Sequence, residues 1–396
     1  MGWLRQTAAV LALNLRTIPG RLSSSAVAIV GIAGVVVVFV SVLSIAAGFS
    51  AAMQGSGSPN RALVMRSGAD SELTSGLDGA DVEVIKQAPG IRRDGPAAQA
   101  SAELYVIIDL PKKSAPDAPA NVPMRGIEPA GLTAREELSL IEGRMFQFGT
   151  NEVIVGRGAS LQFVGMEVGD TIVSGQNRWA VVGVFEADGA VAETEIWCDA
   201  RTLQGAYRRG NSYQSVLARL DSTDSLVMFR DWLMSNPQLN VMVRRENEYY
   251  AGQSQALTRL IQTIGFGIAG LMGIGAVFGA ILTMYTAVAS RAREIATLRA
   301  LGFNTSAVLV SVLGESLALG AIGGLIGGLG AYVAFNGYQT STMNFQTFSQ
   351  VAFAFRVTPQ LLAIGLLYAL AMGFIGGLLP AVRAARLPIP SALREL

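Results

Sequence analysis

Residues 290–310 read SRAREIATLRALGFNTSAVLV. Arg291, Arg293, Glu294 and Arg299 crowd into this short stretch, and long apolar runs flank it on both sides. With Ser290 as N-cap and Gly302 just past the end, residues 291–301 make about three helical turns. Ala292, Ile295, Leu298 and Leu301 then fall on one stripe, and Arg291 can pair with Glu294 at i, i+3. The spacing predicts a short amphipathic helix held between two long apolar ones.

The flanks define the architecture. Crossing a bilayer takes about 20 apolar residues, and four runs reach that length: Ser25 to Phe49, Leu260 to Ala289, Ala307 to Phe335, and Pro359 to Leu379. Each should be helical, because an unpaired backbone group in lipid is costly. The expected fold class is an α-helical membrane protein with four transmembrane helices and an α+β extracytoplasmic domain inserted between the first and second spans. The expected boundaries are an N-terminal segment 1–23, span 24–49, outside domain 50–258, span 259–289, short helix 290–303, span 304–335, loop 336–358, span 359–380 and tail 381–396.

Arginines set the orientation. Arg5, Arg16 and Arg21 precede the first span without an acid, Arg291, Arg293 and Arg299 follow the second, and Arg383, Arg386 and Arg394 follow the fourth. Four spans bring all three groups to one side, which the positive-inside rule makes cytoplasmic. Both termini are then inside.

Composition agrees. The chain is 51% hydrophobic and 15% charged, with mean hydropathy +0.42, beyond what a soluble domain usually shows. It has no histidine and one cysteine, Cys198, so His-based catalysis, His metal sites and an internal disulfide are excluded. No catalytic, cofactor-binding or metal-ligating residue is expected. None of the three lysines, Lys86, Lys112 and Lys113, follows a GxxxxG loop, so the sequence has no Walker A motif.

Residues 50–258 carry a net negative charge and ordinary globular composition, enough for one or two cores. NEVIVG, DTIVSG, RWAVVGVF, ETEIWCD and SVLARL read as short strands, and FRDWLMSNPQLNVMV as a helix then a strand. The strand-rich block 61–110 suggests a second lobe. PKKSAPDAPANVP, residues 111–123, reads as a mobile loop, and ENEYYAGQSQALTR, residues 246–259, as a helical stalk running into the second span. Glu136–Glu137 reads as a solvated helix face, and Trp179 and Trp197 as core.

Within the spans, Gly320, Gly324 and Gly328 recur every fourth residue, with Gly323 and Gly327 on an adjoining line and Gly275 and Gly279 in the second span. Small residues at that spacing let helices approach closely, inside the chain or at a dimer seam. Glu315 interrupts the third span, yet residues 317–335 nearly suffice for a crossing. It is therefore expected at the cytoplasmic interface beside the arginines.

SRAREIATLRALG closely resembles the signature of the MacB/FtsX family of ABC-transporter permeases. GESLALGAIGGLIGGLGA is similar to the family's next segment, including the acid at Glu315. The tail LLPAVRAARLPIPSALREL resembles the family's closing pattern, with Pro380, Arg383, Pro388 and Arg394 in place. The resemblance is looser over the outside domain, through EGRMF, NEVIVG, GMEVGDTI and WAVVGVF. It implies that Arg291, Arg293, Glu294, Ile295, Leu298, Arg299 and Gly302 form the segment coupling to an ATPase, the apolar stripe filling a groove on it. ATP and Mg would sit on that partner, a separate polypeptide expected in two copies, because this chain begins about two dozen residues before its first span. The resemblance further implies a second permease subunit, identical or different, in a bacterial inner membrane, with membrane lipids around it and the large domain periplasmic. A periplasmic adaptor and an outer-membrane channel are optional partners; nucleic acid is not one. The implied work is export or efflux, with lipoprotein release or FtsX-like control of a cell-wall hydrolase as alternatives.

Overall fold

A computed structural model describes residues 6, 7, 11, 22–344, 347 and 349–388. They divide into two compact units. One comprises residues up to 47 together with 259–338 and 355 onward; the other comprises 48–258 with 339–354.

The first unit is helical. Its elements lie in α1 (Leu22–Gln54), α7 (Glu246–Ser290), α8 (Ala292–Ala300), α9 (Thr305–Phe335) and α10 (Pro359–Ala385). All but α8 are long and apolar enough to cross a membrane. Gly320 and Gly324 press α9 onto α10: a Cβ at Gly320 would lie 2.8 Å from the Ala369 carbonyl oxygen, and one at Gly324 2.7 Å from the Ala369 Cβ. The neighbouring line does the same against α1, where a Cβ at Gly327 would lie 2.6 Å from the Ala33 carbonyl oxygen. Backbone meets backbone on two adjoining faces of one helix, which is what small residues at four-residue spacing permit. Gly328 is looser, with Leu362 at 3.3 Å from a notional Cβ, and at Gly275 and Gly279 no neighbour among the described residues comes within 4 Å of one.

The second unit is built on a ten-stranded mixed sheet. Its strands are β1 (Arg61–Arg66), β2 (Ala100–Lys112), β3 (Ala115–Ile127), β4 (Ser139–Gly143), β5 (Glu152–Gly156), β6 (Thr171–Ser174), β7 (Asn177–Glu186), β8 (Ile196–Asp199), β9 (Ser215–Arg219) and β10 (Val241–Arg245). The order is β10-β1-β9-β2-β3-β8-β5-β7-β4, with β6 on β7. Pairs are antiparallel except β3/β8 and β5/β7. Helices α2 (Gly79–Lys86) and α6 (Ser225–Ser235) cover one core, and α4 (Arg157–Gln162) and α5 (Ala200–Ala206) another; α3 (Pro129–Ala134) follows β3. Trp179 and Trp197 are buried among these strands.

The long strand β2 joins the two cores. Ala100 and Ala102 belong to the first apolar cluster, while Leu104, Val106, Ile108 and Leu110 belong to the second. The same alternation serves both, because residues two apart share a face. β2 changes partner from β9 to β3 between Glu103 and Leu104.

Two stretches differ from what their composition suggests. PKKSAPDAPANVP is the end of β2, the turn and most of β3 in the β2/β3 hairpin, not a loop. Proline lacks a ladder donor and is confined to edges. The half of β3 holding Pro116 and Pro119 is paired with β2, whereas pairing with β8 begins only at Met124. Residues 336–358 contain a hairpin, β11 (Gln339–Asn344) with β12 (Ser349–Ala354), that belongs to the sheet-bearing unit.

Candidate functional site: the short helix and the buried arginines

The stretch 290–310 folds into α8 and the start of α9, with one shift at its N-terminus. Ser290 ends α7, its hydroxyl donating back to the Ala287 carbonyl, and Arg291 is the N-cap residue. A serine hydroxyl can satisfy the end of one helix or the start of the next, and here the long helix holds it. The C-terminus closes as a Schellman motif: Gly302, at φ +93°, donates to the Arg299 carbonyl and Phe303 to the Leu298 carbonyl.

Burial divides the residues of this short helix differently from the simple stripe. Ile295 and Ala296 are buried, Ile295 against Met284 and Val288 of α7, Val308 and Val312 of α9, and Ala381 and Ala384 of α10. Leu298 is half-buried and Leu301 is 73% exposed. The apolar stripe therefore splits: its front half fills the chain's own interior, and only its end projects. Helices α7, α9 and α10 already supply the groove the stripe was expected to find elsewhere. Arg293, Glu294, Thr297 and Ala300 lie on the exposed side.

Arg291 is buried, its Nη1 donating to Glu315 Oε2 at 2.7 Å, with each side chain 5% exposed. Its Nε also lies 3.8 Å from the exposed Glu294 carboxylate. Arg299 Nη1 donates to the Leu387 carbonyl, beyond the end of α10. Arg383 stacks over Tyr285, 5.3 Å from the ring centroid. Pro380 is buried within α10 and Pro388 is exposed after it; Arg394 lies outside the described residues.

A larger charge cluster occupies the other unit, on the face of β2 opposite the apolar clusters. All five N–H donors of Arg125 are used: two reach Glu195 (2.7 and 2.9 Å), two reach Glu72 (2.8 and 3.0 Å) and one reaches Glu103 (2.8 Å). Arg135 clasps Glu103 with two nitrogens, at 2.7 and 2.9 Å. Arg61 joins Glu246 of α7 to Glu137. Glu136 and Glu137 are exposed, as expected, but in a turn and not on a helix, and Glu137 also reaches a buried guanidinium.

Burial alone would raise the Glu103 carboxyl, but Arg135 and then Arg125 outweigh it and hold it below the ordinary carboxylate value. Burial opposes the charge on Arg125 too, yet Glu195 and Glu72 keep it well above the usual arginine value. Sequence spacing could not find this cluster, because its members come from β1, β2, β3, β8's approach, α7 and a 3-10 turn. Among the described residues no group of His, Cys, Asp and Glu could hold a metal ion. The Cys198 thiol is buried, and burial pushes its pKa far up.

Residues 25–234 match the MacB-like periplasmic core domain, and residues 266–389 match the FtsX-like permease C-terminal domain. The chain belongs to the MacB/FtsX family of ABC transporter permeases. Two solved structures are similar to it in part. The extracellular domain of YknZ, a noncanonic ABC-type transporter from Gram-positive bacteria, is 17% identical, covers 47% of this chain and 100% of its own, and has a TM-score of 0.36. The periplasmic region of MacB from Actinobacillus actinomycetemcomitans is 14% identical, covers 51% and 96%, and has a TM-score of 0.38. No curated protein matches the chain. Four apolar helices and family membership fit an inner-membrane protein with a periplasmic domain and an ABC ATPase as its general kind of partner.

Proposed function

We propose that this chain is the permease subunit of an exporter, taking ATP-driven force from a separate ATPase and delivering it to its extracytoplasmic domain. Two ATPase copies and a second permease subunit complete the assembly, and the Arg-rich segments support a cytoplasmic side for both termini. One observation carries the reading. α8 has an inner face sunk among three long helices and an outer face bearing Arg293, Glu294 and the projecting Leu301. A helix fastened on one side and chemically distinctive on the other suits transmission of a push. The exposed leucine offers apolar area for a partner to bury, and the exposed arginine and glutamate offer charges for it to complement.

Glu294→Ala combined with Leu301→Asp tests this, because both side chains are exposed and neither change should unfold the chain. Co-purification of the ATPase with the doubly substituted chain is expected to fall on the order of tenfold, since an interface anchor is worth about 1.4 kcal/mol or more. Undiminished co-purification, with ATP-dependent export intact, would overturn the assignment.

A further inference from the structure

We infer that the buried Arg291–Glu315 pair is a positioning latch that makes α8 and α9 move as one body, an inference that rests on the coupling role proposed above. Arg291 is the sole link between the last residue of α7 and the first of α8. Its backbone, at φ −114° and ψ 11°, belongs to neither helix. A one-residue joint is where a pushed helix would swivel and dissipate the motion. The Arg291 side chain removes that freedom by reaching Glu315, ten residues into α9, at 2.7 Å.

The surroundings argue that the pair sets position more than stability. Met284, Val288, Ile295, Val308 and Val312 line the small cavity around it. Two charges withdrawn into such a place lose their hydration, and apolar side chains of the same volume often hold a fold as well or better. What an ion pair adds is direction: a charge-assisted hydrogen bond has a preferred geometry, whereas apolar contact tolerates sliding. The same guanidinium also faces Glu294 on the exposed side of α8. One cation is thus shared between an acid that a partner can touch and an acid embedded in α9. A partner engaging Glu294 acts on the group that holds Glu315.

The test uses the full-length chain in lipid nanodiscs with its co-purified ATPase. Spin labels at Thr297→Cys on α8 and Leu329→Cys on α9 report the distance between the helices in preparations that still co-purify the ATPase, the native Cys198 being buried and unlabelled, while ATP hydrolysis and export are read on unlabelled chains. The otherwise native chain should give one narrow distance distribution that ATP does not move. Glu315→Gln should broaden it and make it respond to ATP. ATP hydrolysis should continue while export per ATP falls on the order of tenfold, a usual size for a coupling energy. Arg291→Glu with Glu315→Arg, which reverses the pair, should restore the narrow distribution and the export ratio. The latch is overturned if Glu315→Gln stays as narrow as native, or if the reversed pair folds and remains broad. Should Glu315→Gln fail to fold, the reversed pair alone decides by the same criterion. Failure of the coupling reading looks different: no ATPase co-purifies with the native chain, while the label distances measured without it still judge the latch.

Discussion

Arg125 and Arg291 are both buried beside glutamates, and they are built in opposite ways. Arg125 spends all five donors on three carboxylates from three places in the chain. Arg291 holds Glu315 through a 2.7 Å bond and leans on Glu294 at 3.8 Å. A saturated guanidinium has no second arrangement available, so the Arg125 cluster is a rivet where β2 passes between the two cores. A buried pair whose cation also faces an exposed acid, Glu294, can be biased by a partner. Burial alone therefore does not identify a working charge; contact with a group that a partner can reach does.

The strongest way to break this contrast is Arg125→Met. It strands Glu72, Glu103 and Glu195 without their shared cation, and uncompensated buried charge costs roughly 3–5 kcal/mol. Protease resistance and urea unfolding of the sheet-bearing unit within the full chain should both collapse. If they do not, the cluster is not a rivet.

Next in size is acid. A carboxyl held below its unfolded value of about 4.3 contributes stability that is complete above that value and disappears as pH falls through the lower folded value. Glu103 and Glu137 are both held low; burial opposes the shift in each, and Arg135 and Arg61 respectively override it. The unit's urea midpoint should stay level from neutral pH to about 5 and drop below about 4. A midpoint that rises on acidification would mean those carboxyls are protonated in the native state.

Glycines in the helical unit provide a smaller and sharper test. Gly327→Ala places a Cβ 2.6 Å from the Ala33 carbonyl oxygen, an overpacking that costs about 1–3 kcal/mol. Its melting temperature in detergent should fall by several degrees. Gly275→Ala and Gly279→Ala meet no neighbour within 4 Å among the described residues, so the isolated subunit should shift by no more than about 0.5 kcal/mol. A loss of self-association in either variant would show that these two glycines pack against a second permease subunit.

Much of the molecule was legible in order and little in depth. The phrases NEVIVG, RWAVVGVF and SVLARL became β5, most of β7 and β9 because their apolar alternation suits a pleated surface. Gly320, Gly324 and Gly327 could be read as packing positions because four-residue spacing alone puts them on adjoining lines. PKKSAPDAPANVP misled because proline content signals a missing donor, and a strand with one free edge does not need that donor. Ser290 could cap either of two helices, and spacing does not choose. Nothing local distinguishes Arg125 from Arg144, although one is buried and the other exposed.

Periodicity, length and charge asymmetry determined the four apolar helices, the short charged helix between two of them and the strand-rich region, because those properties repeat along the chain at the period of the structure they form. Tertiary structure alone decided which half of the α8 stripe is inside, which acid Arg291 holds and how Arg125 gathers its carboxylates on the far face of the sheet. Those outcomes depend on which distant segments share a low-dielectric interior, and a single chain read in order carries no record of that.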